Sequence, residues 1–579
     1  MYDLIIRGGK IVDGRGGEPF VGDVAVQDGR IAMVGGTVDG DAVVVIDATD
    51  RIVTPGFVDI HTHYDGQVTW DDEMSPSSAH GVTTLVMGNC GVGFAPVRPG
   101  QEEWLIQLME GVEDIPGTAL AEGITWGWET FPEYLDVLDR RRMTVDVGAQ
   151  IAHGAVRGYV MGERGARNEP ATPEDIAQMR AIVREAIEAG ALGVTTSRVL
   201  GHRAMDGEPV PGTFAAHDEL FALGYALRDA GTGVFELAPA GADGLDVIKA
   251  PVEMAWMRKL SAEIGRPVTF GMNQVEDDPE QWRMLLAESL EACADGSQCY
   301  PQVAGRPFGM LVGLQTHHAF AKRPSFIALS HLPLPELVAR LREPAVRAAI
   351  LGEDNLPANP SVVWDEVPAA LERFVYRLYP LGPTLDYEPL PEHSLARLAA
   401  VKGVPPLELF YDLMLEDDGR AMMLLPIYNY AWESHDVIRE MLLHPQSVSG
   451  LSDGGAHCGM ICDASIPTYM LTHWARDRVR GEGLPLEFVV KKQTKDTATL
   501  YGLGDRGSLE VGLRADINVI DFENLRLGSP KMAHDLPSGG RRLLQDAEGY
   551  DYTIVAGEVT RDHGKDTGAR PGRLLRGAR

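Results

Sequence analysis

Between Arg51 and about Asp453 the chain alternates short apolar runs with longer amphipathic ones. That alternation admits few folds, because a strand that must return through a helix before its parallel neighbour begins builds a βα sheet. The strand-like runs are Val53 to Ile60, Thr83 to Met87, Val145 to Ala152, Gly193 to Ser197, Gly233 to Leu237, Val268 to Met272, Gln298 to Pro301 and Ser447 to Leu451. They number about eight, the count at which a parallel sheet closes on itself. Helices are predicted between several of them, notably Thr172 to Ala189, which opens Thr-Pro-Glu-Asp and stops at Gly190, and Asp218 to Asp229. The reading is an α/β chain whose body is a (β/α)8, TIM-like barrel. Chemistry in such barrels gathers at the strand C-termini, and the polar clusters of this sequence fall there.

The two ends read differently. From Tyr2 to about Asp47 short strands are punctuated by Gly8-Gly9, Asp13-Gly14, Asp28-Gly29 and Gly35-Gly36, pairs that supply the positive φ of tight hairpins. Ala515 to Asp521 alternates like a strand, and Tyr552 to Thr560 echoes Leu4 to Val12. Neither end has strands enough for a stable sheet alone, so the two are predicted to pair into one small β-sandwich domain. The division is then 1–54 for its N-terminal part, 55–475 for the barrel, and 476–579 for a last barrel helix with the rest of the sandwich. The stretch 305–444 is too long for a connection and carries helical runs at Leu334 to Ile350 and Pro405 to Leu415. It reads as a largely helical insertion near the barrel mouth, with a pocket wall, structural elaboration and an oligomer contact all left open.

Composition narrows the partners. Of 579 residues 44% are apolar, enough for a sizeable core, and the net charge of −32 disfavours nucleic acid and anionic membranes. Five scattered cysteines without a Cys-x-x-Cys pair suit a reducing compartment. The start Met1 to Gly9 has no leader pattern and no run is of membrane length, so a cytoplasmic protein acting on a small molecule is expected, with homo-oligomerisation open.

The chemistry begins at Val58-Asp59-Ile60-His61-Thr62-His63. Alternation along a strand turns Asp59, His61 and His63 the same way, and two converging imidazoles make half a site for a zinc-like ion. A bare His-x-His is commonly structural, but here an apolar run leads into it and polar residues crowd only its end. At the second strand end stands Gly88-Asn89-Cys90-Gly91, where a thiolate between glycines can approach an ion. At the last stands Ser452-Asp453-Gly454, whose carboxylate can bind a metal and shuttle the proton of water to a leaving amine.

Thr54 to His63, Asn89-Cys90-Gly91, the Gly190 to Gly193 approach to strand four, and Ser452-Asp453-Gly454 together resemble the amidohydrolase superfamily, and within it the N-acyl-D-amino-acid deacylase branch. The likeness spans nearly the whole chain, including the Gly-x-x-Ala-Asp-Ile element at Gly512 to Ile517. It implies a metal-dependent hydrolase, usually of zinc, with His61, His63 and Asp453 around one ion and Cys90 where other branches use a carboxylated lysine. Strand four, Gly193 to Arg198, indeed contains no lysine. Tyr300 is similar to a substrate-binding tyrosine of the branch, and His153 to its His-Gly element.

Two metal-binding histidines that the branch presents after strands five and six are missing here. Phe235-Glu236-Leu237 and Met272-Asn273-Gln274 stand instead. Glu236 is an oxygen donor in place of one imidazole, and Asn273 is a poorer ligand that can contact substrate. One ion rather than two is therefore expected, with Cys90 and Glu236 as extra ligands and His457 within reach of the site mouth. His435, beside a helix in the insertion, reads as solvated or capping. Basic residues to grip a substrate carboxylate are also not evident. The expected reaction is hydrolysis of an amide-type C–N bond, with water's pKa drawn from about 16 toward about 7 and Asp453 as base, then acid. Two rivals stay open: the same site acting on a cyclic amide, urea, carbamate or by deamination, and a non-catalytic barrel used for binding or assembly.

Overall fold

The computed structural model describes residues 1–579 other than 243, 245–249, 360–361, 383–384 and 578–579. Its mixed α/β body holds two parallel sheets. Six strands run in the order Val448–Ser449, Cys299–Val303, Val268–Gly271, Val234–Ala238, Gly193–Ser197, Ile151–Ala152, and four in the order Leu574–Leu575, Asp146–Ala149, Val82–Met87, Phe57–Thr62. Only Gln150 separates Asp146–Ala149 from Ile151–Ala152, so one run of chain serves both sheets. At the opposite flank Thr62 bridges in parallel to Gly454. The Asp453 N–H donates to the His61 carbonyl (3.1 Å) and the His63 N–H to the Gly454 carbonyl (2.8 Å). The first strand end and the segment after the last strand are thereby held side by side.

Helices between the strands form for local reasons. Pro173–Ala189 opens on a reciprocal cap in which Thr172 Oγ1 accepts from Asp175 N–H (3.2 Å) and the Asp175 carboxylate accepts from Thr172 N–H (2.9 Å). It ends at Gly190, whose φ of 117° few other residues hold. Its inner face buries Met179, Val183, Ala186 and Ile187, each large apolar chain contributing about 1.5–3 kcal/mol.

The two chain ends do pair. Ile517–Ile520 runs antiparallel to Ile52–Pro55, with Asn518 opposite Thr54, inside a nine-stranded sheet that joins strands from both termini. Leu4, Ile6, Val24, Val53, Ile517 and Ile554 form its separate core. Asp28 (φ 52°) and Gly29 (φ 70°) make the tight turn between Phe20–Gln27 and Arg30–Val34. A buried ion network fastens this sheet to the body: Asp146 accepts from Arg506 at 2.6 Å and Arg514 at 2.9 Å.

Several expectations shift. The run Val53 to Ile60 is two strands, Ile52–Pro55 in the terminal sheet and Phe57–Thr62 in the parallel one. They part at Gly56, where a Cβ would lie 2.2 Å from Thr83 Oγ1. Pro344 splits Leu334 to Ile350 into Leu334–Leu341 and Pro344–Gly352. The C-terminal tail ends outside the terminal sheet: Leu574–Leu575 pairs with Asp146–Ala149 through Val147 and Gly148. The insertion has its own antiparallel sheet, Gly309–Gly313, Met422–Pro426 and Tyr379–Pro380, and its own core around Val312, Phe320, Leu341 and Phe410. Among the described residues no helix is long and apolar enough to cross a membrane.

Candidate metal centre

The strand Phe57–Thr62 delivers His61 at its end and releases His63 just beyond it, both 2% exposed. His61 is oriented by Gln302, whose Oε1 lies 2.8 Å from Nδ1. That leaves Nε2 facing the Cys90 Sγ at 3.4 Å and the Asp453 Oδ1 at 3.4 Å. His63 Nε2 lies 3.7 Å from the same Asp453 oxygen, and its Nδ1 lies 3.3 Å from Glu113 Oε1. One donor atom each from His61, His63 and Cys90 falls within 4.8 Å of the others.

Cys90 reaches this point through strained backbone. It sits at φ 55° between two glycines that tolerate no side chain: a Cβ on Gly88 would lie 2.3 Å from the Gln150 carbonyl, and one on Gly91 2.7 Å from the Ser197 nitrogen. Asn89 pins the loop, donating to the Thr62 (3.0 Å) and Val86 (3.1 Å) carbonyls and accepting from Gln150 (2.9 Å). Leu451, Asp453 and His457 also lie near φ +50° to +59°. Such conformations cost free energy and cluster where side chains must be aimed.

The electrostatics ask for a cation. Burial holds His61 at about 4, so it stands neutral with a lone pair on offer. Burial opposes charge on His63 too, yet Glu113 and Asp453 lift it to about 9. Burial raises Glu236 to about 8 and Glu113 to about 7, and drives Cys90 well up with the help of Glu113 and Glu236. Burial works against ionising Asp453 as well, but the His63 and His61 rings hold it well below the usual carboxylate range. Four buried acids thus surround two imidazoles. Among the described residues, Nε2 of His63 and Oε1 of Glu236 have no hydrogen-bond partner. Orphaned buried donors and an acid excess are what a divalent ion resolves, and imidazole, thiolate and carboxylate are a donor set that suits zinc.

Glu236 stands behind this set rather than in it. Its Oε2 accepts from the Cys90 N–H (3.2 Å), and its Oε1 lies 3.9 Å from Nδ1 of His61, the nitrogen given to Gln302. Asn273 and His457 line the cavity in front of the donors. Burial keeps His457 at about 4, and its Nε2 lies 3.5 Å from Glu113 Oε2. Two expected substrate contacts, Tyr300 and His153, are not among the residues that line this cavity. Tyr300 packs against the apolar cluster that includes Val58, Ile60, Leu500 and Tyr501, because the seventh strand extends to Val303 and places Gln302, one pleat further on, at His61. His153 is fully buried and committed, Nε2 to Glu219 (2.8 Å) and Nδ1 to Thr196 (2.9 Å). His435 is also buried, bonded to the Tyr387 carbonyl at 2.9 Å.

The cavity over the donors encloses about 280 Å³ and takes Phe308, Met310, Ile427 and Tyr428 from the insertion, which therefore does form a pocket wall. A larger cleft of about 600 Å³ beside Trp104 contains none of these donors. A second group, Glu388, His435 and His473, brings ligand atoms together, but Arg478 already holds both Glu388 oxygens at 2.9 and 3.1 Å, so its charge is met.

The match to the amidohydrolase family model runs over residues 44–561, and the chain belongs to that family. It is 28% identical to a D-aminoacylase of Alcaligenes xylosoxydans xylosoxydans over 533 residues, 90% of this chain and 88% of that one. It is 27% identical to an N-acyl-D-aspartate deacylase of the same organism over 576 residues, 99% and 95%. In fold it is similar to a crystal structure of D-aminoacylase (TM-score 0.65, 22% identity, both chains fully covered). It is equally similar to the N-acyl-D-glutamate deacylase of Bordetella bronchiseptica complexed with zinc and a phosphonate inhibitor (TM-score 0.65, 22% identity, 99% of each chain).

Proposed function

We propose that the chain is a metal-dependent amidohydrolase of the D-aminoacylase-like branch that cleaves an amide-type C–N bond in a small molecule. The observation that carries this reading is the convergence of Cys90 Sγ and Asp453 Oδ1 on His61 Nε2, each 3.4 Å from it, at the floor of a lined cavity. The parallel strands, continuous through Gln150 and bridged at Thr62 and Gly454, read as a closed (β/α)8 barrel spanning 55–475 with the insertion 305–444, and the terminal sheet with its flanking ribbons as the small sandwich. We assign one ion, zinc, to His61, His63, Cys90 and Asp453. When bound, such an ion polarises the scissile carbonyl and acidifies water. Asp453, ionised because the imidazoles hold its pKa down, accepts the proton of the attacking water and returns it to the leaving nitrogen. Asn273 and His457 stand where the substrate lies. Five free cysteines, Cys293 among them exposed, suit a reducing cytoplasm.

The test is amine release from a panel of N-acylated amines, N-acyl-D- and L-amino acids and cyclic amides, by zinc-loaded and chelator-treated enzyme. Metal-dependent cleavage of at least one acyclic amide is expected. No turnover anywhere on the panel would overturn the reading.

A further inference from the structure

The cavity wall is far more apolar than its floor. Leu237, Phe308, Met310, Trp364, Ile427 and Met460 face the space above the donors, and the Phe308 and Tyr428 rings lie 5.6 Å apart at a 33° tilt, forming an aromatic side. No lysine or arginine lines it among the described residues. The two arginines that flank the lining residues Val199, Gly201 and His202 in sequence are engaged elsewhere: Arg198 bonds Glu253 at 2.9 Å and Arg203 the Gly207 carbonyl at 2.7 Å. Of the rim histidines, His457 lies against Glu113 and His202 Nδ1 is bonded to Ser197 at 2.9 Å. On the far wall Asn273 presents a neutral amide, whose Oδ1 accepts from Asn429 at 3.2 Å. At about 280 Å³ the space is at the lower end for ligand cavities, which start near about 300 Å³.

A carboxylate carried into this space would lose its water against apolar walls and meet Glu113 and Asp453, with no lysine or arginine among the described lining residues to pair with. Resting on the amidohydrolase reading, we propose that the substrate is a compact uncharged amide whose amine portion bears an apolar or aromatic group and no free carboxylate. The site then differs in substrate class from the N-acyl amino acids named for its relatives. The reaction adds water across one C–N bond: the carbonyl carbon gains the hydroxyl, the nitrogen gains the proton, and a carboxylic acid and an amine leave.

A matched pair tests it: N-acetyl-D-phenylalanine and N-acetyl-2-phenylethylamine differ only by the carboxylate. Zinc-loaded enzyme should show kcat/KM at least 100-fold higher for the neutral compound. Calorimetric binding to zinc-loaded Asp453→Asn, a variant whose lost charge favours the anion, should still be at least tenfold tighter for the neutral compound. Met310→Arg should raise kcat/KM for the acid at least tenfold. Equal or tighter binding of the acid to Asp453→Asn would overturn the proposal while leaving amide hydrolysis standing. Absence of turnover with both compounds would leave the hydrolase reading to the wider panel, and the binding comparison would still decide this one.

Discussion

Nδ1 of His63 and Oε1 of Glu113 lie 3.3 Å apart, each residue 2% exposed, in an ion-pair contact just short of hydrogen-bond alignment. Glu113 closes the helix Glu102–Glu113, so that helix fixes which His63 nitrogen faces the donors. Carboxylates behind a ligating imidazole set its tautomer and basicity. Glu113→Gln is expected to keep the fold and weaken zinc binding about 10–100-fold, read by competition with a chromogenic chelator. Unchanged affinity would remove Glu113 from the centre.

Asp453 faces both imidazoles from a left-handed backbone position. Asp453→Asn keeps the shape but removes the base and the charge of one proposed zinc ligand, so it is assayed zinc-loaded. Its kcat should fall about 10²–10⁴-fold with an unchanged circular dichroism spectrum. Turnover near that of the wild type would refute its role.

For His153 a structural role predicts a different signature. Both ring nitrogens are satisfied and the residue is fully buried. His153→Ala should destabilise by about 2–3 kcal/mol by opening a hole and leaving Thr196 unpaired. The melting temperature should drop while KM holds. A raised KM at unchanged stability would return His153 to the substrate.

Glu388 is expected to contribute to acid sensitivity. Burial opposes its charge, but His473 and Arg478 depress its pKa below the ordinary 4.5. A depressed carboxyl contributes stability that is fully present above 4.5 and is lost as pH falls through the lowered value. Glu388→Gln should therefore be less stable than the wild type at neutral pH, and the gap should narrow on acidification below 4.5. Denaturant midpoints across pH measure it, and a constant gap would contradict it.

Legibility in the sequence differs by element. His61 and His63 were legible because a strand's two-residue period fixes where alternate side chains go, and the paired ends because neither holds a full sheet. Glu113 was not, since a glutamate ending an amphipathic helix carries no sign of what it faces. Gln302 was missed for a related reason: strand ends are weakly specified, and two more residues of strand moved the site contact from Tyr300 to Gln302. His153 was ambiguous until its partners Glu219 and Thr196, brought in by tertiary packing, were seen. The pairing of Leu574–Leu575 with Asp146–Ala149 depends on a contact across more than 400 residues, which no local pattern encodes.

The most direct measurement is zinc content per chain in protein purified without chelator, with the ion located by anomalous scattering. One tightly held ion is expected, bounded by His61 Nε2, His63 Nε2, Cys90 Sγ and Asp453 Oδ1 and lost on replacing either histidine. Two tightly held ions, or one seated away from those four atoms, would contradict it.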